Sequence, residues 1–270
     1  MPRRIKASRL VLLSISLSLA ACGGGGGGGK SSGDSLANGT GGGGSQGPSL
    51  VTSPDTAEGM WFGTSDAGAS IYGVILNDGG FYAVYSARDD KTLIDGVITG
   101  TGQSSSGSFT AKDAVDFNFS GSSATQLSIS ASYFAKSSLR GLLSYATRET
   151  KSFTAQYNPV YEQPASASLA TGTYAGNVIS AAGRQTAFMT LQANGTVTGV
   201  VAECNLSGTA TPRGAVNVFN LSLTLRGSTC PFGSDTLAGI GFYDIPSKQF
   251  FIAAPNTTRS NGLFFQGARP

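Results

Sequence analysis

The residues with the most distinctive chemistry in this 270-residue chain are three cysteines, because the sequence contains no histidine. Cys22 stands between an apolar run and seven consecutive glycines, whereas Cys204 and Cys230 lie in the C-terminal third. A thiol can carry a lipid, pair in a disulfide or act as a nucleophile, and its surroundings decide which role it takes. The positions of these cysteines therefore carry most of the functional information.

Acid, base or metal catalysis has little support in the sequence. Histidine is the commonest general base near neutral pH and the commonest metal ligand, and charged residues make up only 12% of the chain. Without histidine no Ser-His-Asp triad can form. We interpret Asp89-Asp90-Lys91 as a solvated hairpin loop rather than as paired catalytic carboxylates. The sequence thus predicts a protein that is not an enzyme, with no catalytic residue, metal site or cofactor.

Residues 1–21 have the order of a secretory signal. Basic residues and no acids occupy positions 1–9, an apolar run of about ten residues follows, and Ala20 and Ala21 precede Cys22. The apolar run is too short for a transmembrane helix, which needs about 20 residues. We therefore expect residues 1–21 to be a cleaved signal peptide.

Leu19-Ala20-Ala21-Cys22 resembles the lipobox of bacterial lipoproteins. The resemblance implies that Cys22 receives a diacylglycerol, that the chain is cut before it, and that the new N-terminus is acylated. Several acyl chains hold a protein stably at a membrane, since each buried CH₂ contributes about 0.8 kcal/mol. Gly23, with no aspartate after the cysteine, fits the sorting rule for the outer membrane. The alternative is an ordinary export signal with a nearby cysteine.

Removal of the signal changes the charge of the protein. Arg3, Arg4, Lys6 and Arg9 lie within the signal, so the formal charge of +3 for the whole chain becomes −1 for residues 22–270. A nucleic-acid-binding surface needs clustered Lys and Arg. The mature protein is therefore not expected to bind nucleic acid.

Residues 22–57 are rich in Gly and Ser and contain little that could be buried. Such composition is typical of a flexible tether. A Gly-rich coil of this length reaches roughly 30–35 Å. The sequence predicts that it separates a folded body from the membrane.

The remainder of the chain consists of short alternating runs bounded by Gly, Asn, Asp and Ser, a pattern typical of antiparallel strands. Asn77-Asp78-Gly79 and Asn194-Gly195 each stand between apolar runs and predict tight hairpins. An antiparallel sheet of this size must hide its edges. We therefore expect an all-β fold with two tandem eight-stranded up-and-down barrels over residues 58–165 and 166–270, or two-sheet sandwiches in their place.

The division into two barrels follows from an apparent internal duplication. Each half contains an Asn/Asp-Gly hairpin, and four further segment pairs occur in the same order. These pairs are 59–63 with 172–176, 98–101 with 206–209, 114–118 with 215–220, and 139–145 with 237–243. The alternative is convergent patterning in a Gly-rich sequence.

Cys204 and Cys230 remain as an even pair once Cys22 is acylated. Export to an oxidising compartment predicts a disulfide between them, joining two strands, or a strand and a loop, of the second barrel. Two free thiols are the alternative.

Gly59-Met60-Trp61 resembles the Gly-x-Trp first-strand feature of calycin barrels, the group of lipocalins and avidins. The resemblance implies that Trp61 closes the base of the first barrel, with Tyr174 at the corresponding position of the second. A simple core role or a ligand-lining role are the alternatives.

The layout as a whole is similar to surface lipoproteins of Gram-negative bacteria such as transferrin-binding protein B and factor H-binding protein. The resemblance implies a non-enzymatic lipoprotein at the outer membrane that binds a macromolecular partner or supports an envelope complex. Few specific residues carry it, so no binding residue is transferred. The alternative is a carrier that holds a small apolar ligand inside a barrel, since eight-stranded barrels can be filled or can hold one ligand.

Overall fold

The computed structural model describes residues 55–121, 123–147, 149–180, 183–201, 203–228, 230 and 236–269, all within one compact unit. The predicted signal peptide, Cys22 and most of the predicted tether lie outside the described residues. Residues 55–57, the last of the predicted tether, pack on the first barrel: Ala57 is fully buried, and its N–H donates to Ser104 Oγ over 3.0 Å.

The first barrel contains nine strands, of which eight close the barrel. In chain order they are β1 Gly59–Ser65, β2 Ser70–Ile75, β3 Gly80–Ser86, β4 Ile94–Thr101, β5 Gln103–Ser105, β6 Ser108–Asn118, β7 Ser123–Phe134, β8 Ser138–Tyr145 and β9 Thr150–Tyr157. Sequential strands pair antiparallel except β4 and β5; β1 pairs with β9, and β4 pairs with β6 to complete the ring. The short β5 extends the line of β4 and pairs only with the start of β6.

The second barrel follows a 3₁₀ helix at Pro159–Glu162. Its eight strands form one closed antiparallel ring, completed by the pairing of the first with the last. They are β10 Gly172–Ser180, β11 Gly183–Leu191, β12 Thr196–Val201, β13 Cys204–Pro212, β14 Phe219–Arg226, β15 Thr236–Asp244, β16 Gln249–Pro255 and β17 Gly262–Ala268. The all-β class and the two tandem eight-stranded barrels are thus confirmed. Among the described residues there is no helix with the length and apolar character to cross a membrane.

Strict alternation builds the barrel walls. In β14 the side chains of Phe219, Leu221, Leu223 and Leu225 are buried in the interior, while the residues between them are partly or fully exposed. Successive side chains of a strand point to opposite faces, so one apolar residue in two is enough to fill a barrel.

Both predicted hairpins are present and are equivalent. Gly79 and Gly195 have φ of +84° and +85°, the left-handed region that glycine adopts without strain. The Gly79 carbonyl accepts the N–H of Gly102 over 2.8 Å, and the Gly195 carbonyl accepts that of Ala210 over 2.7 Å. Each hairpin therefore folds onto the fourth strand of its own barrel.

The register corrects part of the expected duplication. The two barrels are similar, and the matches of 59–63 with 172–176 and of 98–101 with 206–209 lie on equivalent strands, as do the hairpins. The match of 139–145 with 237–243 is wrong, because the first segment is the seventh strand of its ring and the second is the sixth. The match of 114–118 with 215–220 is also wrong: Ile98 opposes Asp116, whereas the equivalent Leu206 opposes Leu225. Because the loops of the two barrels differ in length, the sequence comparison paired segments that are not structurally equivalent.

Candidate functional site

Side chains fill the interiors of both barrels. In the second barrel the rings of Tyr174 and Phe219 pack on Phe250, with centroids 5.4 and 5.7 Å away. The first barrel retains a small apolar cavity of about 70 Å³, which Trp61 helps to line. Pockets for drug-sized ligands measure about 300–1,000 Å³, so neither finding favours a carrier that holds its ligand inside a barrel.

Trp61 and Tyr174 lie at equivalent positions on the first strand of their barrels, and both are buried. Trp61 Nε1 donates to the carbonyl of Ala57 over 3.0 Å, and Tyr174 Oη donates to the carbonyl of Ala170. Each bond reaches back four residues to the segment that precedes the first strand. The aromatic residue thus holds the preceding segment against the start of the first strand, while its role at the barrel base stays a prediction.

The two barrels pack wall against wall. The centre of the contact is apolar: Val97 and Phe117 of the first barrel meet Phe264 of the second, and the Phe117 and Phe264 rings lie 5.0 Å apart. Ion pairs stand at two edges, Arg213 with Asp78 at 2.6 Å and Arg259 with Asp113 at 3.0 Å.

Docking of the barrels explains an unexpected face of β6. The alternation of Val115, Phe117 and Phe119 suggests a face directed to the barrel interior. In the structure these residues point outward, Phe117 and Phe119 pack on Phe264 of the second barrel, and Asp116 points inward.

A cleft of about 390 Å³ opens beside this contact. Its walls are the outward side chains of β1–β4 from the first barrel and of β15–β17 from the second. Aromatic rings stand on both sides, with Phe62 and Tyr72 edge to face at 5.0 Å and Phe242 and Phe251 stacked at 6.0 Å. This volume lies in the range of ligand pockets.

Polar side chains surround the cleft. Lys91 lies at the edge, where its ammonium donates to the carbonyls of Gly68 and of Arg88, the latter over 2.8 Å. Gln266 Nε2 donates to Gln249 Oε1 over 3.0 Å, and Ser247 Oγ donates to Asp244 Oδ2. The cleft therefore combines an apolar interior with hydrogen-bonding groups and both signs of charge at its edge.

A second polar group lies inside the first barrel. Asp116 is 3% exposed, and its carboxylate accepts the hydroxyl of Tyr85 at Oδ1 over 2.8 Å and that of Tyr145 at Oδ2 over 2.7 Å. Burial raises the pKa of Asp116, while the two tyrosine hydrogen bonds and Lys151 oppose this shift and Asp95 adds to it. Burial also raises the pKa of both tyrosines, and the neighbouring carboxylate strengthens that effect. Both phenols therefore stay neutral at ordinary pH and act as hydrogen-bond donors to Asp116.

Sequence reasoning missed this cluster, as well as the cleft. The one sequence signal for the cluster is an acidic residue that alternates with Val115 and Phe117. The acidic loop Asp89-Asp90-Lys91 connects β3 and β4 with exposed side chains, as predicted. Among the described residues, no group of three or more His, Cys, Asp or Glu side chains lies close enough to hold a metal ion.

The predicted disulfide is present. Cys204, the first residue of β13, bonds to Cys230 in the connection between β14 and β15, so the bridge joins a strand to a loop of the second barrel. Cys22, the predicted lipidation site, lies outside the described residues.

Comparison with known proteins adds no relative to this description. No protein-family model matches the chain, and no curated protein matches it.

Proposed function

We propose that this protein is an exported lipoprotein, anchored to the outer membrane through Cys22, that is not an enzyme and binds a macromolecular partner with the outer walls of its barrels. The lipobox-like Leu19-Ala20-Ala21-Cys22, the Gly-rich segment after it and the absence of histidine support this proposal. Disulfide formation between Cys204 and Cys230 fits an exported protein as well.

The observation that carries the binding proposal is the filled interior of both barrels. The cavity within the first barrel measures about 70 Å³, and aromatic rings occupy the interior of the second. Recognition therefore falls to the outer walls and loops.

One outer-wall region has the character of a contact surface. Phe188 on β11 and Val200 on β12 lie directly opposite each other, 53% and 47% exposed, and Ala175 on β10 extends the row. In contrast, Ser128, Ser130 and Ser132 form the exposed side of β7. Contiguous apolar side chains that are exposed on a protein surface commonly mark a protein-binding site.

Affinity purification of the exported protein from envelope and host extracts tests the proposal. We expect one protein to be recovered in near-stoichiometric amount, and Phe188→Ser with Val200→Ser to reduce its recovery at least tenfold. Phe134→Ser is the matched control, because Phe134 is 70% exposed on the other barrel. All three changes are at the surface and should alter stability little. Absence of a protein partner, or equal losses with the control, would contradict the proposal.

A carrier of a small apolar ligand inside a barrel is the second candidate from the sequence. The 70 Å³ cavity gives it little room. The geometry therefore supports the outer-wall function better.

A further inference from the structure

The side chains that line the cleft between the barrels are apolar, although the folding of a barrel does not require apolar side chains on its outer wall. The outward side chains of a barrel wall can be polar, as the serines of β7 are. Around the cleft the outward side chains are instead Phe62, Tyr72, Val84, Phe242 and Phe251. Tyr72 is 50% exposed there. Apolar surface left facing a concave space is typical of a ligand site.

The shape of the cleft follows from the way the barrels touch. The two walls meet at Val97, Phe117 and Phe264, and the cleft beside this contact is lined by strands of both barrels. An apolar chain that lies between the two walls would contact the aromatic rings of both.

The size of the cleft limits the ligand further. Its volume of about 390 Å³ lies near the lower end of the range of about 300–1,000 Å³ for ligand pockets. That size suits a single acyl chain of about a dozen carbon atoms better than a lipid with two long chains.

The edge of the cleft suits a polar end group. Two of the three ammonium hydrogens of Lys91 are directed to the carbonyls of Gly68 and Arg88, which leaves one donor for a ligand oxygen. Asp244 is held by Ser247 on the opposite barrel. Since Lys91 is exposed, its charge should contribute less to affinity than burial of the chain does.

We propose that the cleft between the two barrels binds the acyl chain of a free single-chain amphiphile, such as a fatty acid, with its head group at the edge beside Lys91. This proposal goes beyond the protein-binding function and does not depend on it. Each added methylene should raise affinity about fourfold, the equivalent of about 0.8 kcal/mol per buried CH₂, until the cleft is full.

Calorimetric titration of the exported protein carrying Cys22→Ser, delipidated beforehand, tests the proposal. The probes are octanoate, decanoate and dodecanoate at concentrations below micelle formation, and separately vesicles of a two-chain phospholipid. We expect saturable binding of one chain per protein, a roughly fourfold gain per methylene, and no binding to the vesicles. Absence of saturable binding, independence of chain length, or preference for the vesicles would overturn the proposal.

Two lining variants with matched controls locate the ligand. Val84→Trp fills the cleft and should reduce dodecanoate affinity at least tenfold, whereas Val200→Trp places the same side chain on the far outer wall of the second barrel. Phe251→Gln should weaken binding similarly, with Phe188→Gln as its control. Circular dichroism establishes that each variant is folded.

A photoreactive dodecanoate analogue gives an independent location. Labelled peptides from β2–β4 and β15–β17 would support the proposal. Labels confined to the barrel interior, or equal effects of lining and control variants, would overturn it. Since Phe188 and Val200 are the residues tested for partner binding, loss of one function without the other separates the two proposals.

Discussion

Asp116 and Leu225 occupy the same inward position in their two barrels. Asp116 lies opposite Ile98, Leu225 lies opposite the equivalent Leu206, and both are buried. At the neighbouring position of the third strand, Tyr85 of the first barrel corresponds to the buried Val201 of the second. At these two positions the second barrel is apolar, so the barrel fold does not require the polar side chains of Asp116 and Tyr85.

The buried position of Asp116 should make stability depend on pH. Burial raises the native pKa of Asp116 above its ordinary value of 3.8. A raised native pKa stabilises the fold below pH 3.8, and this contribution is lost as pH rises through the native pKa. Asp116→Asn, which imitates the protonated acid, should therefore gain in unfolding free energy relative to the unmodified protein between pH 4 and pH 7. Urea unfolding at both pH values measures the difference, and an unchanged or reversed difference would refute the assignment.

Removal of the Tyr85 hydroxyl should leave the buried side chain of Asp116 without one of its hydrogen-bond partners. Tyr85→Phe takes away the hydroxyl bound to Asp116 Oδ1, and a buried polar group without its partner costs about 1–3 kcal/mol. Tyr72→Phe is the control, because Tyr72 is half exposed on the outer wall and should change stability by less than about 0.5 kcal/mol. If denaturant unfolding shows that Tyr85→Phe and Tyr72→Phe change the unfolding free energy equally, the hydrogen bond between Tyr85 and Asp116 contributes nothing to stability.

The disulfide should stabilise the second barrel substantially. Cys204 and Cys230 are 26 residues apart, and closing a loop of that length contributes about 3–4 kcal/mol in the chain-entropy model. The double change to serine should lower the unfolding free energy by this amount. Thiol counting on the unreduced protein supplies the control, with no reactive thiol expected from this pair. A loss below about 1 kcal/mol would mean that the bridge does not constrain the unfolded chain.

The hairpin at Gly195 should tolerate alanine poorly. A Cβ there would lie 2.5 Å from the Ala210 carbonyl oxygen, in addition to the strain of φ +85°. Gly214 also has positive φ, +59°, but its added Cβ would meet no atom within 4 Å. Gly214→Ala should therefore lower the unfolding free energy only by the left-handed strain of about 1–2 kcal/mol. Gly195→Ala should lower it clearly more. Similar midpoints in thermal unfolding would contradict the proposed contact of hairpin and strand.

Alternation and turn residues were sufficient to predict the strands, both Asn/Asp-Gly hairpins and the closure into barrels, because these depend on local chemistry. The direction of β6 could not be predicted in the same way. Val115 and Phe117 share one face of β6, and the second barrel covers that outer face and buries them there. Alternation identifies two faces and does not say which one faces the lumen.

The cleft depended on contacts that no local pattern reveals. Arg213 and Asp78, which form an ion pair between the barrels, are 135 residues apart in the chain. The disulfide was predictable because only two cysteines remain beside Cys22. The glycine context that Trp61 and Tyr174 share identifies them as equivalent residues, and both are buried. The Tyr85–Asp116–Tyr145 cluster joins three strands, and the sequence comparison misaligned two of them, β6 and β8.

The proposal that Cys22 holds this protein at a membrane is tested most directly by the intact mass of the protein purified from bacterial envelopes, together with the mass of its N-terminal peptide. We expect a chain that begins at Cys22 and carries the added mass of a diacylglycerol and an N-acyl group. A chain that retains residues 1–21, that begins elsewhere, or that begins at an unmodified Cys22 would contradict the proposed anchor.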